Sequence, residues 1–586
     1  MDTLMPIHTE TNECQDCYKC VRGCPVKAIR IENGRARVMY ERCLFCGHCV
    51  QVCPVGAKRV RFDAIRAKQL LNLRESVWFS LAPSWVSDFP GVTPGQMVAA
   101  IRRLGFAGVS ETALGAELVS RAAAELISEN PGRRLFISTA CPAVVSYVEK
   151  FFPHLVPDLT PLASPVITHA RFLRRLHGND IGIVFASPCI AKKGEADALP
   201  ETLDIALTFR ELADWFAREQ IDPASIEATS DDRFVPEQAA NGRLYPVDGG
   251  MLAGIRAGTP VADATMMSFS GIAQIRDVLP GLEALPGEAP LFLELLACDG
   301  GCINGQQSIE RGAIARKRLT AILAAKASRG TTSGPSDSII SGDETDTSLG
   351  YSSQAPDVRE ISDDEIRTAM RSIGKYSAKD ELNCSGCGYD CCRDFARALV
   401  TGNAEQAMCV SWMRKLAQKK ANALIRTMPS GIVIVDETLR IVECNARFAA
   451  IMGREIEELF EAKPGLEGAS LEKILPFHKL FANVLEIGED IQDRDIRYNN
   501  AILHVSIFSV EKHHFVGAIL ADVTTPSVRK DQVIRKARQV IQKNLATVQK
   551  IAYLLGENAA ETEVMLDSII ESFSPGREDD KGGPQP

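Results

Sequence analysis

The chain has 586 residues, 45% of them hydrophobic and 24% charged, which describes several ordinary globular domains, about three to five by length. A net charge of -9 gives no reason to expect nucleic acid as a partner, and no apolar run approaches the roughly 18 residues of a membrane span. The start, MDTLMPIHTETNEC, lacks the basic and apolar regions of a secretory signal, so the eighteen cysteines are expected to stay reduced in the cytoplasm and to act as metal ligands rather than disulfides.

The first block carries the clearest pattern. Cys14, Cys17, Cys20 and Cys24 follow C-x2-C-x2-C-x3-C-P, and Cys43, Cys46, Cys49 and Cys53 repeat it, with Pro25 and Pro54 in matching places. This is the run of two-cluster bacterial ferredoxins, in which the fourth cysteine of each run serves the other cluster. Cys14, Cys17, Cys20 and Cys53 are therefore expected to hold one 4Fe-4S cluster, and Cys43, Cys46, Cys49 and Cys24 the second. A pair of zinc knuckles is the competing reading, but zinc sites rarely pack four cysteines so tightly before a proline. Between the runs, AIRIENGRARVMY predicts a hairpin around Asn33-Gly34.

The next 270 or so residues alternate strand-like and helical patterns, the signature of an α/β domain with parallel sheets. The strand-like runs are SVWFSLAP, RRLFISTAC, DIGIVFASPC, DIALTF and LFLELLAC. Three of them end in cysteine: Cys141, Cys189 and Cys298. Ligands in open parallel sheets bind beyond the carboxyl ends of strands, so these three and Cys302 are able to converge on one cluster. Spacing alone leaves this balanced against structural core cysteines, which are common.

The neighbouring residues favour the cluster. TACPAVV, SPCIAKKGE and ELLACDGGCING resemble the three active-site signatures of FeFe-hydrogenases, and LAPSWV, TFREL and VDGGML fall in matching order. The resemblance covers roughly residues 1–320. It implies a 4Fe-4S cluster on Cys141, Cys189, Cys298 and Cys302, joined through Cys302 to a two-iron unit carrying CO, cyanide and a bridging dithiolate. It also implies that Lys192 donates to a cyanide ligand. Ala82, Pro83 and Ser84 would give backbone or hydroxyl contacts, and Ser187 and Pro188 would line the cofactor. Lys193 is expected to be a solvated residue at a helix start.

The departures from that family are informative. Its fast members carry a proton-shuttling cysteine where this chain has Ala140. They also place paired glutamates on the preceding helix, where SRAAAEL leaves only Glu125. Ser187 and Leu296 replace methionines. Losing a positioned proton donor costs about 10²–10⁴ in rate, so the resemblance is to the slow, sensory branch.

Residues 328–357, rich in Ser, Gly, Asp and Thr, read as a flexible linker. LNCSGCGYDCCRDFARAL and Cys409 then offer five cysteines for four places. They resemble a small helical 4Fe-4S domain, which implies Cys384, Cys387, Cys392 and Cys409 as ligands and Cys391 as spare, with a zinc site as the alternative. Residues 420–525 resemble a PAS sensor domain: two strands around Asp436-Glu437, a helix starting near Asn445, and late strands in LHVSIFSV and HHFVGAILADVT. Cys444 is read as a core residue, and His478, His504, His513 and His514 as surface or loop residues. Heptad-like positions between 528 and 555 suit either a parallel coiled coil or a helix packed on its own domain.

The expectation is thus a multidomain α/β and α+β chain. It has a two-cluster ferredoxin-like domain (1–62), an H-cluster domain (63–327), the linker, a four-cysteine 4Fe-4S domain (358–416), a PAS domain (420–525), signalling helices (526–574) and a disordered tail (575–586). With four 4Fe-4S clusters and the two-iron unit, the resemblance implies a cytoplasmic sensory hydrogenase that binds or slowly oxidises hydrogen, exchanging hydrogen and protons. Its redox state would pass to a partner, either a ferredoxin or a signalling kinase or phosphatase, from a homodimer free of membrane. A ferredoxin-coupled catalytic hydrogenase and a non-catalytic iron–sulfur scaffold are the alternatives.

Overall fold

A computed structural model describes residues 5–236, 239–258, 264–282, 289–309, 313–329, 343–356, 359–524, 535–543 and 545–546. The chain divides into two compact units, Met1–Met413 and Arg414–Pro586.

The first unit opens with the two cysteine runs. Strand β1 (Ile7–Thr9) pairs antiparallel with β4 (Lys58–Val60), and β2 (Ile29–Glu32) with β3 (Arg35–Val38). The β2–β3 hairpin turns at Asn33-Gly34, both with positive φ, 51° and 68°. That is the primed turn whose twist matches the flanking strands, as the sequence predicts.

Seven parallel strands follow, split between two sheets. The four-stranded sheet runs β6 (Gly108–Glu111), β5 (Val77–Leu81), β8 (Gly182–Ser187), β9 (Ile205–Thr208). The three-stranded sheet runs β10 (Thr265–Ser270), β11 (Leu291–Leu296), β7 (Leu135–Ile137). Five of these strands coincide with the runs read from sequence. The other two, β6 and β10, have no long apolar run to announce them. Buried β-branched and aromatic residues such as Phe79, Val184, Phe136 and Phe292 give both sheets dry faces, as all-parallel pairing requires. Fully buried His169 bridges β5 and β6, with its ring nitrogens 2.8 Å from Ser80 Oγ and 2.9 Å from Ser110 Oγ. Burial pushes its pKa down to about 3, so it serves as a neutral crosslink.

Two expectations need correction. Lys193 is not solvated but fully buried, with Nζ 2.8 Å from both Asp63 and Glu211. The helix Ala191–Ala198 turns it inward, and the two acids supply the partners a buried ammonium needs. The presumed linker also departs from free chain over 343–356. Leu349 N donates to Pro161 O, Gln354 N to Glu149 O, and Tyr351 Oη to Leu162 O, each at 2.8–3.1 Å. Its backbone is bonded to the α/β domain, and polar composition alone does not reveal such pairing. Residues 330–342 lie outside the described residues.

Within the first unit, helices Asp363–Ser372 and Cys392–Val400 build the four-cysteine region. Helix Val410–Thr427 then carries the chain across the expected boundary at 416.

The second unit holds a five-stranded antiparallel sheet, ordered β13 (Ile441–Cys444), β12 (Gly431–Asp436), β16 (Phe515–Asp522), β15 (Ala501–Glu511), β14 (Ile491–Tyr498). Asn445 caps the helix Ala446–Met452, accepting from Phe448 N at 2.9 Å. The same Oδ1 accepts from Ile432 N at 2.9 Å, while Nδ2 donates to Ile425 O and Ser430 O. One buried side chain thereby fixes strand, helix and entering chain. Cys444 lies in the core, donating to Gly465 O at 3.3 Å. His504 sits between Asp493 and Asp495 on the sheet, and His514 pairs with Glu437. Most of the heptad-like stretch and the whole tail lie outside the described residues.

Candidate functional site

The ferredoxin-like runs fold so that each set draws on both halves of the domain. Short helices Lys19–Gly23 and His48–Val52 follow residues with positive φ, Tyr18 and Gly47, which turn the preceding loops back on themselves. Burial pushes the Cys20 thiol up to about 11, opposed by Lys58 and reinforced by Cys14, Cys17 and Cys53. Cys46 rises to about 12, again through burial first, with Cys24 and Cys43 as its neighbouring sulfurs. Cys49 is raised with Cys43, Cys46 and Cys24 around it. Cys53 thus lies near the first run and Cys24 near the second. Buried Lys58, donating to Thr9 Oγ1 at 2.6 Å, faces both sets; no sequence pattern marked it.

The second constellation gathers at the carboxyl ends of three strands. Cys141 follows β7 and is the residue before helix Pro142–Phe151, with Pro142 at the first helical position. Cys189 follows β8, in the other sheet, and Cys298 follows β11. Cys302 lies past Gly300 and Gly301, in a short turn Cys302–Asn304. Gly301 has φ 98°, and a Cβ there would lie 2.4 Å from Pro246 O. Only glycine fits, which explains the pair of glycines between the two cysteines. The far end of this loop is anchored by Asp88, whose Oδ1 is 3.0 Å from both Ile309 N and the buried Lys317 Nζ.

Burial raises the Cys298 thiol far above its usual value, and Cys189, Cys302 and Cys141 raise it further. Cys302 is raised by burial and by Cys141 and Cys189, with Lys192 opposing. Cys46 of the ferredoxin-like domain also acts on Cys298. The four cysteines therefore share one dry neighbourhood, next to the second ferredoxin-like set.

An apolar cavity of about 100 Å³ adjoins them. Its lining includes Ala82, Pro83, Ser84, Ala140, Cys141, Ser187, Pro188, Cys189, Lys192 and Cys302. The residues expected to contact the cofactor come from both sheets and are there except Cys298, which adjoins the other cysteines outside the lining. Lys192 donates to Ser164 Oγ at 2.8 Å and Glu195 Oε2 at 2.6 Å. An ammonium has three protons to give, so one remains for a group in the cavity. Ser84 Oγ is buried and has no hydrogen-bond partner among the described residues.

Sequence reasoning missed Glu294. It lies on β11, buried, and lines the same cavity. Met251 N donates to Oε1 at 3.2 Å, while Oε2 has no partner among the described residues. Burial lifts its pKa to about 7, against the pull of the Met251 and Leu252 backbone amides. The available signal was an acid at the centre of an apolar strand, LFLELL, where a charge is costly without a role.

In the four-cysteine region, Cys387 is surrounded electrostatically by Cys409 and Cys384. Cys391 instead caps the helix Cys392–Val400, accepting from Asp394 N at 3.3 Å and donating to Asp394 Oδ2 at 3.0 Å. Its sulfur is engaged by its own helix.

These elements define a multidomain iron–sulfur protein whose α/β domain encloses a further cysteine-bound site. Residues 75–306 match the family described as iron only hydrogenase large subunit, C-terminal domain. Residues 6–54 match a 4Fe-4S dicluster domain, 380–411 an Fe-S cluster family and 420–486 a PAS domain. Residues 75–306 are thus similar to the iron-only hydrogenase family, and the same chain carries a PAS match at 420–486. The chain is 26% identical over 295 residues to iron hydrogenase 1 of Clostridium pasteurianum, covering 41% of this chain and 51% of that one. It is 25% identical over 280 residues to the periplasmic Fe hydrogenase large subunit of Nitratidesulfovibrio vulgaris, covering 39% and 66%. A solved variant of FeFe-hydrogenase HydA1 from Chlamydomonas reinhardtii aligns with TM-score 0.39 and 18% identity, over 50% of this chain and 99% of that one. The matches thus span between half and two thirds of these curated relatives' own length. Among the described residues no helix is long and apolar enough to cross a membrane.

Proposed function

We propose that this chain is a sensory FeFe-hydrogenase, which binds or slowly splits hydrogen and passes the resulting redox state along iron–sulfur clusters toward its PAS domain and a signalling partner. The observation that carries the reading is the cavity itself. Cys141, Cys189 and Cys302, with Cys298 beside them, a lysine with one proton to spare and a serine hydroxyl without a partner among the described residues line or adjoin it, while Ala140 stands where a fast enzyme needs a thiol. The donor set suits the cofactor: buried thiols become thiolates when iron supplies the compensating charge. Cys141, Cys189, Cys298 and Cys302 would hold the 4Fe-4S part, with Cys302 bridging to the two-iron unit, and Lys192 and Ser84 would bind its diatomic ligands. When bound, that unit supplies the chemistry of hydrogen cleavage.

The protein's own part is to exclude water, orient the cofactor and handle protons. Glu294 is the group suited to the last task. With a pKa near 7, it is able to accept or release a proton close to neutrality, as a general acid–base residue must. The other sets, Cys14, Cys17, Cys20 and Cys53, then Cys24, Cys43, Cys46 and Cys49, then Cys384, Cys387, Cys392 and Cys409, would each hold a 4Fe-4S cluster. Infrared spectroscopy of protein matured with the two-iron unit tests the reading, with CO and cyanide bands expected. A full complement of 4Fe-4S clusters without those bands favours the scaffold alternative.

A further inference from the structure

The four-cysteine region and the ferredoxin-like domain are built against each other within the first unit. Ile31 N donates to Asn403 O at 3.1 Å, and Gly34 N to Glu405 Oε2 at 3.3 Å. Lys27 Nζ donates to Gly388 O at 2.7 Å. Gly388 has φ 95°, and a Cβ there would come within 2.8 Å of Val21 and 3.1 Å of the Arg22 backbone nitrogen. The two backbones therefore meet with no room for a side chain between them.

Arg22 does more than pack. One arm of its guanidinium donates to Cys17 O at 2.9 Å, the other to Gly386 O at 3.2 Å. Those carbonyls belong to cysteine loops of two different sets. Of the eighteen cysteines, Cys17 and Cys384 are the exposed ones, and a single cation ties together the loops that carry them. Tyr389, buried, lies within electrostatic reach of Cys387 and of Cys24. Cys24 belongs to the same interleaved set as Cys46, which in turn acts on Cys298.

Resting on the assignment of these sets to 4Fe-4S clusters, we propose that the four-cysteine domain is docked in cis as the electron acceptor of the ferredoxin-like domain. Arg22 and Tyr389 are its positioning residues. The step is a one-electron transfer: one ferredoxin-like cluster is oxidised, the C-terminal cluster is reduced, and no bond or proton changes hands. The set containing Cys24 and Cys46 becomes a branch point, flanked by Cys298 through Cys46 and by Cys387 through Tyr389. Reduction adds negative charge, so the cations Arg22 and Lys27 at the loop carbonyls favour the reduced C-terminal cluster. The acceptor is also the last cysteine set before the PAS domain, since Cys409 leads directly into helix Val410–Thr427.

The test reads magnetism and potential rather than hydrogen turnover. Full-length protein carrying its 4Fe-4S clusters, without the two-iron unit, is reduced stepwise by a chemical reductant and followed by electron paramagnetic resonance. The C-terminal cluster's signal is identified by its loss in Cys409→Ser. In the parent it is expected to be broadened by a neighbouring reduced cluster. Arg22→Gln is expected to shift its midpoint to more negative potential. Gly388→Val, which wedges the backbones apart, is expected to narrow the signal, while Tyr389→Phe keeps the ring and the broadening. An unbroadened C-terminal signal in the parent overturns the proposal. So does a midpoint unmoved in Arg22→Gln, and if Gly388→Val loses iron that measurement alone decides. A failure of hydrogen to reduce any cluster in matured protein would instead count against the sensory reading and leave this docking standing.

Discussion

The ferredoxin-like domain and the cavity of the α/β domain both gather cysteines, but they do so by opposite routes. The first takes its sulfurs from two short runs, and local turns at Tyr18 and Gly47 are enough to aim them. The second takes three cysteines from beyond strand ends in two separate sheets and a fourth from the turn that follows, spread from residue 141 to residue 302. Their electrostatics differ as well. The ferredoxin-like sets face a buried cation, Lys58, which suits centres that only accept and release electrons. The cavity sets Lys192 against Glu294, an acid poised near neutrality, which suits a site that must also move protons. A local motif is enough to make a wire. A reactive site needs groups of different character brought to one cavity, and that takes a whole fold.

The largest effect should come from cutting the cavity at its shared ligand. Cys302→Ser is expected to abolish the CO and cyanide bands and hydrogen turnover, while iron analysis still finds the ferredoxin-like clusters. Loss of those clusters too would mean that the two regions fold as one, and the contrast between local and distant assembly would fail.

Glu294→Gln comes next. The substitution keeps the shape and removes the proton, so turnover should fall by about 10²–10⁴ with the infrared bands retained. The pH profile sharpens the test. Below about 7 the Glu294 carboxyl is protonated and able to donate; above it, it is charged and able to accept. Hydrogen oxidation in the parent should therefore rise with pH through that region and hydrogen evolution should fall, and both breaks should vanish in the glutamine variant.

Ala140→Cys restores a thiol at the cavity wall. Film electrochemistry should show faster turnover, though short of the full about 10²–10⁴ of a working relay, because the acids of the usual path are absent as well. In the parent, a stronger electron driving force should change little. Activity that tracks donor strength while Ala140→Cys does nothing would place the limit on the wire side of the comparison.

The smallest effect belongs to the spare cysteine. Cys391→Ser should leave the iron content unchanged, since serine is able to take over the cap, whereas Cys392→Ser should lose one cluster. The reverse iron count would move the ligand by one residue.

How much could be read in advance follows from the same contrast. Cysteine spacing specifies the ferredoxin-like domain almost unaided, because its turns and ligands lie within a few residues of one another. The sequence also located five of seven parallel strands, the Asn33-Gly34 turn and the helix start near Asn445, all of which depend on local chemistry. It named Ala82, Pro83, Ser84, Ala140, Ser187, Pro188, Lys192 and Cys302 through resemblance to a family. Only the tertiary structure decided that these face one cavity between two sheets rather than one, since strand order is set by pairing between distant segments. The fold alone turned Lys193 inward to Asp63 and Glu211 and bonded residues 343–356 to the α/β domain. It also lifted Glu294 to neutrality. A charge in a sequence carries no sign of its dielectric, and burial, which shifts a pKa or demands a partner, is a property of the packed chain.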